Sequence, residues 1–203
     1  MDRQPEYHVE MDPEPNLAIS LAGTTLAGAE WDSLSGPRQL GGWLEAHGIE
    51  VPGLELRLAD VRELRSAILA LFAAAAEGRS LPSGAAGTLN DASAAAPRCV
   101  RLDVRDGVPR AVEVTGAPDA AAAFGRIARS AIGLLGGPDR ERLRSCAAPG
   151  CGRFFLAERP RHVWCSNACG NRVRVARHHA RRRGPSPAQA GTIRSTDPDS
   201  ESA

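Results

Sequence analysis

Residues 164–172 read WCSNACGNR, and this stretch decides how the last third of the 203-residue chain folds. Cys165 and Cys169 stand four positions apart, so at the start of a helix both sulfurs point to one side. Upstream, Cys146 and Cys151 form C-x4-C, and thirteen residues separate Cys151 from Cys165. Two close cysteine pairs joined by a linker of this size predict a four-thiolate zinc site. Pro149-Gly150 gives the first pair a sharp knuckle. Ser166 is placed to cap a helix over about 167–183, whose positive N-terminal end then faces the thiolates.

Other readings of these cysteines stay open. They could be buried core thiols, or a redox switch, since neighbouring arginines lower thiol pKa values. His162, His178 or His179 could replace a ligand, although four thiolates already complete a tetrahedral count. The fifth cysteine, Cys99, lies in a strand pattern and is expected to be an inert core thiol.

Working outward, the helix has two faces. Cys169, Val173, Ala176 and Ala180 fall on one side, expected against the metal. Asn171, Arg174, His178, Arg181 and Arg182 fall on the other, with Arg172 and Arg177 on the shoulders. Phe154, Phe155 and Trp164 are expected to pack the interior of this small module. At about 40 residues it buries too little apolar surface to fold alone, so metal has to supply much of its stability.

Charge divides the chain in the same place. Residues 1–141 hold 13 Arg and 20 acids, a balance of −7; residues 142–183 hold 11 Arg and one acid, a balance of +10; residues 184–203 carry −2. There is no lysine, and Arg, Ala, Gly and Pro are all abundant. Such a composition follows from a GC-rich genome, so arginine content alone carries little functional weight. No basic-then-apolar leader opens the sequence and no apolar run reaches the ~20 residues of a membrane span. The expectation is a cytoplasmic protein with reduced thiols and no membrane partner.

The remainder predicts a mainly α domain with one small hairpin. Residues 1–16, acidic and with three prolines, and residues 184–203 are expected to be disordered. The apolar stretch 17–25 suggests a strand or buried turn. Pro37 opens a helix carrying Leu40, Trp43 and Leu44 on one face, and Gly48 stops it. A longer helix over about 57–77 repeats Val61, Leu64, Ile68, Leu71, Phe72 and Ala75 at helical spacing. Residues 78–97 suggest a loop with at most a short helix. Residues 99–114 read as a hairpin turning at Asp106-Gly107, with Pro109 marking its return as an edge strand. Pro118 begins a helix that ends at Gly136-Gly137-Pro138. The boundary between the helical domain, 17–137, and the cysteine module, 138–183, is therefore expected near 137–141.

Cys169-Gly170-Asn171-Arg172 spells CGNR, and the chain resembles the CGNR zinc-finger proteins of bacteria. The likeness runs from Arg144-Ser145-Cys146 through Phe155 and Trp164-Cys165-Ser166 to Arg177-His178 and the arginine run. It departs at Ala157-Glu158-Arg159-Pro160, where the loop is shorter. Residues 17–137 are similar, in element order and in Trp43-Leu44, to the ABATE domain of stress-induced transcription regulators. The resemblance implies a treble-clef-like four-cysteine zinc finger ending in an arginine-rich helix. It also implies one structural zinc ion held by Cys146, Cys151, Cys165 and Cys169, and a DNA-binding regulator of transcription.

On that reading Asn171, Arg172, Arg174, Arg177, Arg181 and Arg182 are the candidate nucleic-acid contacts, since arginine pairs with phosphates or guanine edges and asparagine with adenine. The N-terminal domain would sense a signal, bind a small molecule or mediate assembly, including a homodimer. The competing reading is a zinc-stabilised protein- or RNA-interaction adaptor, with the arginines a merely solvated face. Few exposed aromatics are available for single-strand stacking. An enzyme is the poorest fit, because four ligands leave zinc no open position.

Overall fold

The computed structural model describes residues 16–25, 32–49 and 57–183. The lead-in before Asn16 and the tail from 184, both expected to be disordered, lie outside these residues. Six helices and two short antiparallel hairpins follow in chain order among the described residues.

The first helix, α1 (Leu17–Ala22), replaces the strand or buried turn expected from 17–25. Asn16 caps it, its side-chain oxygen accepting from the Ile19 amide at 3.1 Å. Leu17, Ala18, Leu21 and Ala22 form the buried face. Six residues are too few for the sequence to show a helical period. The helix α2 (Pro37–Ala46) begins at its proline, buries Leu40 and Leu44, and is followed by Gly48 with a positive φ of 59°. The central helix α3 (Leu58–Ala76) buries Val61, Leu64, Ile68, Leu71 and Phe72 as its spacing predicts.

A second correction concerns 78–97. Helix α4 (Ser83–Ala94) occupies most of it. Gly and Ser weaken its intrinsic helix propensity, and its N-terminus has no side-chain cap. Packing against α3 and α5 (Asp119–Gly136) overrides that weakness, with Leu89 buried at the contact. The approach to α5 is close: a Cβ at Gly125 would come within 2.8 Å of the Ala96 methyl.

Strands β1 (Cys99–Arg105) and β2 (Val108–Val114) pair in the register the sequence predicts, with Arg105 opposite Val108. Asp106 and Gly107 both have positive φ, the signature of a type I′ turn. The hairpin does not face the core, however. Val100, Leu102 and Val104 are exposed, and so is Cys99, which is not the core thiol expected. Alternation of apolar residues signals a two-faced strand but does not say that anything covers the apolar face.

The helical core crosses the glycine-proline break. After α5 a 3-10 turn (Pro138–Arg142) leads into β3 (Leu143–Ser145), which pairs with β4 (Phe154–Leu156). Leu143 is fully buried among the residues of α1, α3 and α5. Phe154 meets Phe72 edge-on at 5.6 Å between ring centres, and Leu156 packs on the same core. Phe154 and Phe155 were expected to share one module, but strand alternation sends them to opposite sides. Phe155 turns to the cysteines.

A half-buried ion pair, with Arg65 its buried member, fastens the start of the domain. Arg65 is held bidentately by Asp32 at 2.8 Å for each bond and also donates to Thr24 Oγ1. The Arg65 guanidinium beside Asp32 is the chief cause holding that carboxyl down at about 2. Thr25 and Asp32 form an antiparallel bridge at the same point.

Candidate metal centre and basic helix

The four cysteines come from three local structures. Cys146 follows β3, and its amide donates to the Arg153 carbonyl at 2.8 Å, so the β3–β4 ladder continues to the edge of the site. The chain then folds back through Pro149 and Gly150. Gly150 has φ +70° and Gly152 φ +62°, left-handed conformations on either side of Cys151 that favour glycine. Cys165 precedes α6 (Asn167–Arg183), and Cys169 lies in its first turn. The Ser166 hydroxyl accepts from the Cys169 amide at 3.3 Å, as a capping serine should.

All four sulfurs lie within 4.8 Å of one another. The Sγ separations are 3.6 Å for Cys151–Cys165, 3.7 Å for Cys165–Cys169 and 3.7 Å for Cys169–Cys151. A tetrahedron with zinc–sulfur arms of about 2.3 Å has edges of about 3.8 Å, and a disulfide requires about 2.05 Å. The cluster therefore fits a tetrahedral metal and not a pair of disulfides. The Cys165 amide points at Cys146 Sγ, 3.3 Å away, a donor suited to a thiolate. Burial pushes the Cys165 thiol up to about 12 and raises Cys151 as well; the Ser166 hydroxyl bond is the main cause that brings Cys169 down to about 7. Buried thiols without a cation are costly to ionise, and a divalent ion removes that cost.

Around the sulfurs, Ala148, Phe155, Ala157, Val173 and Trp164 form a second, smaller apolar cluster. None of His162, His178 and His179 belongs to the four-sulfur group. His162 packs edge-on against Phe155 at 5.0 Å, and its Nδ1 accepts from the Glu158 amide at 3.4 Å. His178 and His179 contact one another further along α6.

The four residues 169–172 do four different things. Cys169 contributes its sulfur. Gly170 is buried beneath Trp164, where a Cβ would meet the indole at 3.1 Å. The Asn171 side-chain oxygen accepts from Arg174 at 2.6 Å. Arg172 turns back toward Cys169 Sγ at 3.7 Å. The family models match here. Residues 15–138 match the ABATE family, described as "Putative stress-induced transcription regulator", and residues 142–182 match the CGNR zinc finger. The chain belongs to the ABATE family. No curated protein matches the sequence. The ABATE segment ends within the 3-10 turn and the finger begins at its last residue. The hairpin, knuckle and helix of the finger form a treble-clef-like arrangement whose four cysteines support one structural zinc ion.

Beyond the metal cluster, α6 departs from the two-faced helix expected. Val173 is buried, but Ala176 and Ala180 are exposed along with Asn171, Arg172, Arg174, Arg177, Arg181 and Arg182. The apolar stripe reaches the metal cluster for only about one turn. From Arg174 onward every side chain described is exposed, and the helix projects as a basic rod. Beside its N-terminal turns runs an open groove of about 550 Å³, lined by Arg159, Arg161, His162, Trp164, Asn167 and Arg174. Its lining falls within residues 158–174, but the groove was not legible in the sequence, because it exists only once the loop folds against the start of α6.

In the ABATE domain the polar cluster the sequence hides is Ser20, Trp43 and His47. The Ser20 hydroxyl and His47 Nε2 lie 2.7 Å apart, and Trp43 Nε1 reaches the same hydroxyl at 3.3 Å. His47 Nδ1 lies 2.7 Å from the Trp43 carbonyl, which fixes the ring over the indole. These bonds satisfy one another and tie α1 to α2. Among the described residues, no helix is long and apolar enough to cross a membrane.

Proposed function

We propose that the protein is a cytoplasmic, zinc-dependent transcription regulator that binds duplex DNA through α6, with the ABATE domain sensing a signal, binding a small molecule or mediating assembly. The observation that carries this reading is the exposed helix segment 174–182, which holds four arginines and no acid. Cys146, Cys151, Cys165 and Cys169 would hold the zinc and so fix the N-terminal end of that helix. Four thiolates on a divalent ion carry −2, which leaves residues 142–183 near +8. That charge is ample for phosphate attraction. Arg174, Arg177, Arg181 and Arg182 are the contacts of choice. Asn171 orients Arg174, and Arg172 serves the metal side first. The basic groove beside Trp164 offers the phosphate backbone a second contact. No catalytic step is assigned, because four protein ligands fill the coordination of the ion.

Fluorescence anisotropy with a labelled duplex at several salt concentrations tests the proposal. Arg174→Ala and Arg181→Ala are expected to weaken binding, each lost phosphate contact flattening the log–log salt dependence by about 0.9. Zinc content should stay intact in both. Wild-type affinity too weak to measure at low salt would refute DNA binding and leave the basic helix to a protein partner.

A further inference from the structure

The β1–β2 hairpin presents an apolar face that nothing in the described structure covers. Val100, Leu102 and Val104 are 70%, 75% and 58% exposed, and the register places Ala111 and Pro109 beside them on the same face. The principal contacts of each strand are with the other. A lone two-stranded hairpin is marginal in water, and an open edge invites a further strand.

The two edges are not equivalent. Arg105 and Val108 flank the type I′ turn and form its close hydrogen-bonded pair. Alternation then commits Asp103, Arg101 and Cys99 to the ladder with β2. The N–H and C=O groups of Val100, Leu102 and Val104 point to the open side of β1. On β2 the outward positions are Pro109, Ala111 and Glu113, and the proline supplies no donor. The β1 edge is complete and the β2 edge is not.

We propose that a second copy of this chain pairs with the β1 edge, antiparallel, about a two-fold axis at Leu102. This axis overlaps the whole strand, from Cys99 opposite the partner's Arg105 to Arg105 opposite the partner's Cys99. Leu102 faces the partner's Leu102, and Val100 faces the partner's Val104. The outward groups of these residues then exchange about six backbone hydrogen bonds. On the other face Arg101 lies opposite the partner's Asp103, and Asp103 opposite the partner's Arg101. Moving the axis to Asp103 sets aspartate against aspartate and Arg101 against the partner's Arg105. Moving it to Arg101 sets arginine against arginine. Like charges directly opposite one another destabilise a sheet, so the charge pattern selects the Leu102 axis. The contact is isologous, as a two-fold dimer requires. It stands independently of whether the basic helix binds DNA.

The register gives a position-specific test in the zinc-loaded full chain. With Cys99→Ser as background, Leu102→Cys should cross-link to a covalent dimer under mild oxidation, since paired Cα atoms in a sheet lie about 5.5 Å apart. Val104→Cys in the same background should not, because its own symmetry mate would be four residues along, about 14 Å away. Mixing the Val100→Cys and Val104→Cys proteins should restore cross-linking. Sedimentation equilibrium should show a dimer in the wild type and association about tenfold weaker in Arg101→Glu, which sets two glutamates against two aspartates. A wild-type protein that sediments as a monomer up to about 100 μM overturns the proposal. Equal cross-linking of the Leu102→Cys and Val104→Cys proteins overturns the register.

Discussion

Among the described residues, Leu143 alone lies beyond the glycine-proline break yet is fully buried in the helical core, and its replacement by Ala tests that placement. If the finger were an appendage, this change would touch only the finger. The packing says otherwise. Leu143 sits among the residues of α1, α3 and α5, and beyond its pairing with β4 the strand β3 packs on α3. Truncating a fully buried leucine costs about 2–5 kcal/mol, from lost transfer energy and the cavity left behind. For a urea slope of ~1–3 kcal/mol/M, the midpoint of helical unfolding should fall by roughly 1–2 M. Phe154→Ala should act in the same direction by a similar amount, because its ring supports the fully buried Phe72 of α3. Urea unfolding followed by far-UV circular dichroism, with zinc content measured on the same samples, reads both effects. A midpoint shift under about 0.3 M together with a loss of zinc would show that β3 serves the finger alone, and the shared core would be wrong. The same logic bears on a fragment ending at residue 137. It lacks Leu143, Phe154 and Leu156, and is expected to be markedly less stable than the helical part of the whole chain.

Three further outcomes are expected. Elemental analysis should find one zinc per chain, reduced to near zero by Cys151→Ser or Cys165→Ser and unchanged by Cys99→Ser, whose thiol is exposed and remote from the cluster. Asp32 titrates at about 2 in the folded protein against an ordinary 3.8, so its contribution is fully present above about pH 4 and is lost as pH falls toward 2. That contribution is about 2 kcal/mol; Asp32→Asn should remove it and flatten acid unfolding between pH 4 and 2, with an added cost from stranding the buried Arg65 charge. Gly170→Ala should lower zinc affinity in a competition titration with a chromophoric chelator, because a methyl at 3.1 Å from the Trp164 ring displaces the indole from the cluster; an unchanged affinity would mean that the indole yields freely.

Much of this molecule is legible in its sequence, and the gaps share a cause. The cysteine spacing, the capping serine, the Asp106-Gly107 turn and the long apolar periods of α3 and α5 are local signals, and each appears where it is expected. The missed features depend on what lies across from a residue. Helix α4 has poor intrinsic propensity and forms because α3 and α5 cover it. Helix α1 is too short to show a period. Phe154 and Phe155 look alike in the chain, yet alternation gives one to the helical core and the other to the cysteines. Cys99 follows a strand pattern that is real, on a hairpin with no core behind it.

The basic helix shows most clearly how local pattern and tertiary context divide the work. A helical wheel assigns Ala176 and Ala180 to the metal side because they follow Cys169 and Val173 at the right spacing. Only Val173 is buried, since the small module is no longer than the first two turns of α6. Past that point nothing in the described structure opposes the helix, and small residues there serve helix propensity rather than packing. The arginines are thus separated by position along the axis and not by face. Arg172, one turn from the sulfurs, reaches back to Cys169, and Arg174 is steadied by Asn171. Arg177, Arg181 and Arg182 extend from an exposed rod. Arg172→Ala should therefore lower zinc retention at least as much as it weakens DNA binding, whereas Arg181→Ala should weaken DNA binding with zinc retention unchanged. If both substitutions reduced DNA affinity equally and left zinc untouched, Arg172 would belong to the DNA surface, and its approach to the thiolate would carry no functional weight.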